Sequence, residues 1–269
     1  MNEPLLLNLS LPKCGTLSVR EYFSDYKSSH ELFSQSFLAA MEIAERYNQP
    51  EIVAQMLQRR YQHGLIEIDT SGFLHTISSE LLQLFPKTSF LRVIREPRSW
   101  ISSYLDMLGG KAQELTSQKK PIDNRAALFE HFYVSRIFPR MLLADMLELK
   151  TWTRRRRNKA ICDAAKYWAK DCERALNEKK HSVVTTCSLD QLSAILPSMR
   201  AQISGKVDYS ESDHFRAKSR HNVSDRGETR QIIESWLQPD ELAAETIESL
   251  DNCDHLHKRI INCLQSRDE

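Results

Sequence analysis

The stretch Leu5-Leu6-Leu7-Asn8-Leu9-Ser10-Leu11-Pro12-Lys13-Cys14-Gly15-Thr16-Leu17-Ser18-Val19-Arg20 restricts the fold more than any other part of the chain. Its leucine-rich run is short enough for a buried strand and stops at Leu11-Pro12. A compact Lys13-Cys14-Gly15-Thr16 turn follows, and apolar residues resume at roughly helical spacing from Leu17. The order strand, tight turn, helix predicts a phosphate-type loop. Glycine lets backbone N–H groups crowd an anion, and the opening helix adds unpaired donors and its positive dipole end. Lys13 supplies a mobile positive charge, Thr16 and Ser18 supply hydroxyls, and Leu17 offers only its N–H. A Walker A loop is absent, because no Gly-Lys-Ser/Thr follows Gly15 at the required spacing. ATP hydrolysis is therefore not the first reading.

Alone, such a turn fits a purely structural connection equally well. A second junction of the same kind narrows the choice. Phe90-Leu91-Arg92-Val93-Ile94-Arg95 reads as a strand entering a helix whose first turn carries Pro97. Arg95 closes the strand, and Ser103 follows about two helical turns later, so both are placed to reach one phosphate.

Pro12-Lys13-Cys14-Gly15-Thr16 after the first strand resembles the 5'-phosphosulfate loop of sulfotransferases that use 3'-phosphoadenosine 5'-phosphosulfate (PAPS). Arg95-Glu96-Pro97 with Ser103 resembles their 3'-phosphate motif. The resemblance implies an α/β fold, a parallel β-sheet with helices on both faces in a P-loop-like sulfotransferase fold, as a single domain over residues 1–269. It implies that Lys13, Cys14, Gly15, Thr16, Leu17, Ser18, Arg95 and Ser103 contact the nucleotide. Lys13 is also the catalytic cation, with PAPS as sulfuryl donor, 3',5'-adenosine bisphosphate (PAP) as product, and no metal or redox cofactor. The basic stretch from Phe215 to Asn222 is similar in position to the late loop that closes over PAPS, which adds Lys218, Ser219 and Arg220, and more weakly Arg216. The chain departs from the family at Leu17, where many members have a second Thr. It departs again at Ser18, where cytosolic animal members often carry an adenine-stacking Trp.

Gly64-Leu65-Ile66-Glu67-Ile68-Asp69 reads as a strand ending in a Thr70-Ser71-Gly72 turn. Asp69 falls at the carboxyl end, where ligands of open α/β sheets gather. Asp69-Thr70-Ser71 also resembles the Glu-Lys-Ser of some glycan sulfotransferases, with Thr70 in place of Lys. Asp69 is thus the expected proton acceptor, with Glu67, His75 and His131 as rivals.

The remaining chain predicts helices over 29–47 and 51–62, around Leu81, and over 128–149, with a polar, mobile connection from Lys111 to Arg125 after a helix ended by Gly109-Gly110. A helix carrying Trp168, a strand over 182–187, a helix opened by Ser188 and Gln191 as a capping box, and final helices joined near Pro239 complete it. The run Arg154-Arg155-Arg156-Arg157 reads first as a solvated helix end and second as an anion site.

Lys+Arg 37 against Asp+Glu 36 gives a formal charge of +1, so no global basic field points to nucleic acid or an anionic membrane. The six cysteines lack metal-ligand spacing and read as free thiols. Neither a leader nor an apolar run of about 18 residues is present, which points to the cytoplasm. The expected acceptor is a small molecule, such as a natural product, with a hydroxyl or amine; a glycan acceptor is the alternative within the family. A phosphoryl-transfer kinase and a non-catalytic nucleotide-binding module are the alternatives outside it. Neither the acceptor nor the oligomeric state is fixed by the sequence.

Overall fold

A computed structural model describes residues 3–30, 34–62, 66–117, 125–205 and 227–265. Its strands are β1 (Leu6–Asn8), β2 (Ser28–Ser29), β3 (Ile68–Asp69), β4 (Ser89–Ile94) and β5 (Val184–Ser188). The α-helices in the first half are α1 (Thr16–Tyr22), α2 (Ser34–Tyr47), α3 (Pro50–Gln62), α4 (Ser78–Leu84), α5 (Pro97–Ser117) and α6 (Arg125–Phe129). After them come α7 (Arg154–Glu178), α8 (Leu192–Ser204), α9 (Gly227–Trp236) and α10 (Ala244–Gln265). Short 3-10 segments occupy Leu74–Ile77, Leu143–Thr151 and Pro239–Glu241, and a π-helical turn spans Glu130–Ser135. Two compact units result, one drawn from Met1–Ile94 with Ala175–Arg220 and the other from Arg95–Arg174 with His221–Glu269.

The first unit is an α/β structure on an all-parallel sheet in the order β2-β3-β1-β4-β5. Parallel neighbours need crossover connections, and α2 with α3 supplies the one between β2 and β3. Every residue of β1 and β4 is buried, as expected of apolar central strands with neither face open to water. Arg92 is the charged exception in β4. It has no exposure, and its Nε and Nη2 donate to Glu178 Oε2 at 2.8 and 2.6 Å. The Ser78 hydroxyl donates to the other Glu178 oxygen. The pairing removes the cost of burying either charge alone.

From β1 the chain goes to the edge strand β2, steps back to β3 beside β1, then crosses to β4 and β5 on the other side. The reversal falls at β1, and in open α/β sheets the crevice at such a point, beyond the strands' carboxyl ends, is where ligands bind. β2 is absent from the sequence reading, which ran a helix through Ser29. Two serines carry no apolar signature, and only their register with Ile68 and Asp69 makes them a strand.

In the second unit α5 packs against α9, α10 and the Leu143–Thr151 segment. Here two expectations are corrected. Helix α5 does not stop at Gly109-Gly110 but continues to Ser117. A Cβ at Gly109 would lie 2.7 Å from Leu149 Cδ1, so the glycine permits close packing rather than ending the helix. The helix expected over 128–149 is instead α6, a π-helical turn and a 3-10 segment. Pro139 lies in the break, where it lacks the N–H that a continuing helix requires. Among the described residues no helix is long and apolar enough to cross a membrane.

Candidate functional site

The turn that leaves β1 is pinned from below. Asn8 Oδ1 accepts the Ser10 N–H at 2.9 Å and the Ser10 hydroxyl, whose oxygen in turn accepts the Val93 N–H of β4 at 2.7 Å. The Cys14 N–H then closes onto the Leu11 carbonyl at 3.2 Å. Lys13 and Gly15 are both left-handed, with φ of 70° and 81°. For a residue with a side chain that conformation costs about 1 kcal/mol or more, and such strain concentrates at functional sites. Gly15 avoids the cost, and it is also the residue the space allows. A Cβ there would stand 2.8 Å from Leu192 Cδ2 and 3.0 Å from Leu189 Cδ1.

Gly15 is the N-cap of α1 and has no side chain to offer. Among the described residues no acceptor meets the N–H groups of Thr16, Leu17 or Ser18. The first turn of α1 therefore keeps three N–H groups that the described part of the protein does not use. Lys13, Leu17 and Ser18 are half-buried. Thr16 and Cys14 are buried, and the 1% exposure of Cys14 makes it a spacer of the loop rather than a nucleophile.

The junction after β4 is built differently. Glu96 Oε1 accepts the Arg98 N–H at 2.9 Å and Oε2 accepts the Ser99 N–H at 2.6 Å, so the protein's own carboxylate fills the first turn of α5. Arg95 Nε and Nη2 both donate to Ser99 Oγ, at 3.0 and 2.8 Å. Ser99 lies four residues from both Arg95 and Ser103, which sets Ser99 and Ser103 on one face of α5 and lets Arg95, two residues before the helix, reach Ser99. Ser103 is buried, at 6% exposure. Sequence reasoning missed Ser99, although the repeated spacing of four was there to find it.

Asp69 stands beside Leu7 of β1 in the sheet and has no exposure. Arg60 of α3 donates from Nε to its Oδ2 at 2.8 Å, with Nη2 2.7 Å from the same oxygen, and the Tyr61 hydroxyl donates to it at 2.8 Å. The Ser71 N–H and hydroxyl donate to Oδ1 at 3.0 and 2.6 Å. Burial, reinforced by the Asp69 charge, holds the Tyr61 hydroxyl well above its ordinary pKa, so it stays a donor. Both oxygens of Asp69 are thus committed to holding α3 and the Ser71 turn to β3. The expected role in proton removal gives way to a structural one, because an enclosed carboxylate saturated with donors has no lone pair for an acceptor hydroxyl.

The rivals are also engaged. Glu67 precedes β3, at the end of the strand away from the β1 turn, and accepts the Lys27 N–H at 2.9 Å. His75 is buried, with Nδ1 2.6 Å from the Gly72 carbonyl. His131 lies in the π-helical turn of the second unit, edge-on to Phe132. Arg216, Lys218, Ser219 and Arg220 lie outside the described residues.

The arginine run forms the start of α7, at its positive dipole end. Arg154 donates to the Asp240 and Glu241 carbonyls, Arg156 pairs with Asp145 at 2.5 Å, and Arg157 lies 3.7 Å from Glu241. Arg156 and Arg157 also cover the Trp152 and Trp236 rings. A cavity of about 880 Å³ in the second unit includes Arg140, Arg154, Arg155 and Lys159 in its wall, but none of the nucleotide-site residues expected from the sequence. The structural contacts account for most of the run, and the chemistry is better sought at the strand ends.

The comparisons place the chain in no known group: no protein-family model, no curated protein and no solved structure matches it.

Proposed function

We propose that this chain is a sulfotransferase, moving the sulfuryl group of PAPS to a hydroxyl or amine of a small-molecule acceptor on a P-loop-like sulfotransferase fold. The observation that carries this reading is the junction after β1. There a strained Lys13 and a left-handed Gly15 lead into a helix whose first N–H groups meet no acceptor among the described residues, at the strand where the sheet order reverses. The N–H groups of Thr16, Leu17 and Ser18 hold the 5'-phosphate, with the Thr16 hydroxyl. Lys13 faces the bridging oxygen, on which charge develops as the sulfur–oxygen bond breaks. Arg95 and Ser103 take the 3'-phosphate, with Ser99 steadying the guanidinium. Lys218, Ser219 and Arg220 are assigned to the nucleotide by resemblance. The six free thiols accord with a reducing compartment.

The test is incubation with PAPS radiolabelled in sulfur and a panel of phenols, alcohols, amino sugars and amines, beside a parallel set with γ-labelled ATP, and calorimetric titration with PAP. Sulfur transfer to at least one acceptor is expected. Transfer from ATP instead would make the chain a kinase, and PAP binding without any transfer would make it a binding module.

A further inference from the structure

With Asp69 committed to the core, the proton of the acceptor needs another destination. The carboxyl edge of the sheet offers one that the sequence reading did not consider. His30 directly follows β2, is half-buried, and stands beside the Thr70 turn that leaves β3. Its Nδ1 lies 2.9 Å from the Thr70 carbonyl oxygen and 3.1 Å from Thr70 Oγ1. A carbonyl only accepts, so Nδ1 must carry the proton. The hydroxyl agrees, because its own proton goes to the Ser29 carbonyl at 3.1 Å, leaving its lone pairs toward the ring. The Thr70 N–H is also bound to that carbonyl, at 2.9 Å, which fixes the turn that holds the imidazole. In a neutral ring whose Nδ1 is protonated, Nε2 is the basic nitrogen. Among the described residues no hydrogen-bond partner meets Nε2.

We propose that His30 is the general base of the transfer, a step that rests on the sulfotransferase reading. Two strand spacings, roughly 10 Å, separate β2 from β1 across the sheet. The acceptor and the sulfuryl group lie within that span, over the carboxyl end of β3. The acceptor oxygen forms its bond to sulfur while the bond between sulfur and the bridging oxygen breaks. The electron pair leaves on the 5'-phosphate of PAP, and the acceptor proton moves to Nε2, which leaves His30 as imidazolium. Thr70 is a positioning residue, and its carbonyl holds the protonated Nδ1 and stabilises the cation that forms.

The experiment joins three readouts on the full chain. Nitrogen NMR of the imidazoles should find His30 protonated at Nδ1 in the free protein. PAP affinity should be the same in the wild type, in His30→Ala and in His30→Asn, whose amide keeps a donor for the Thr70 carbonyl but supplies no base. Turnover of PAPS with the fastest hydroxyl acceptor of the panel should fall about a hundredfold or more in both variants, and added imidazole should restore part of it in His30→Ala. An Nε2–H tautomer, or wild-type turnover in His30→Asn, overturns the assignment. A wild type that binds no PAP removes the sulfotransferase reading itself, and the PAP titration separates that failure from a failure of His30.

Discussion

The junction after β1 and the junction after β4 share one local grammar, a buried parallel strand running through a short turn into a helix, yet they end in opposite states. After β4 the Glu96 carboxylate occupies the N–H groups of Arg98 and Ser99. After β1 the corresponding donors of Thr16, Leu17 and Ser18 meet no acceptor among the described residues, and the turn is strained at Lys13. A helix start satisfied by its own protein has no donors left for an anion, and one left open beside a cation does. On the proposed reading, backbone capture of a phosphate falls to the first junction. At the second, that reading gives the 3'-phosphate to the side chains of Arg95 and Ser103.

The largest expected effect calibrates both junctions from outside them. Asp69→Asn leaves the buried Arg60 without its counter-charge and should cost about 3 to 5 kcal/mol of folding stability, read by denaturant unfolding. A variant of wild-type stability would return Asp69 to the candidates for proton removal. Next comes Lys13→Ala, which should lower kcat with PAPS by on the order of a hundredfold while PAP binding changes less. Equal losses in both would make Lys13 a ground-state contact only. Arg95→Ala should weaken PAP by about tenfold or more, the value of one charged hydrogen bond, and leave adenosine 5'-phosphate nearly unaffected. Equal weakening of the two ligands would remove the 3'-phosphate from this junction. The smallest effect belongs to Glu96→Ala, which uncaps α5 and should cost about 1 kcal/mol in thermal unfolding. If Glu96→Ala instead abolished nucleotide binding, the contrast between a closed and an open helix start would be wrong.

Features written in a short window were legible in the sequence. The change from leucine-rich strand to helical spacing located the β1 loop and Pro97 located the start of α5, whereas Ser188 and Gln191 make their reciprocal bonds of 3.1 and 3.3 Å in the turn after β5 and do not cap the helix, which starts at Leu192 with Gln191 as its N-cap. What escaped depends on partners that no window contains. β2 is two serines whose strand character comes from pairing with β3. The enclosure of Asp69 is made by Arg60 and Tyr61 on a helix that carries its own, separate periodicity. Gly109 resembles a helix stop until Leu149 is brought against it. The tautomer of His30 follows from Thr70, forty residues away in sequence.

Amide hydrogen exchange, followed residue by residue with and without saturating PAP, tests the central contrast most directly. The amides of Thr16, Leu17 and Ser18 should exchange rapidly in the free protein and become strongly protected by the nucleotide, whereas those of Arg98 and Ser99, already bound to Glu96, should be protected in both states. Bound PAP that leaves the Thr16–Ser18 amides as fast as before would contradict it.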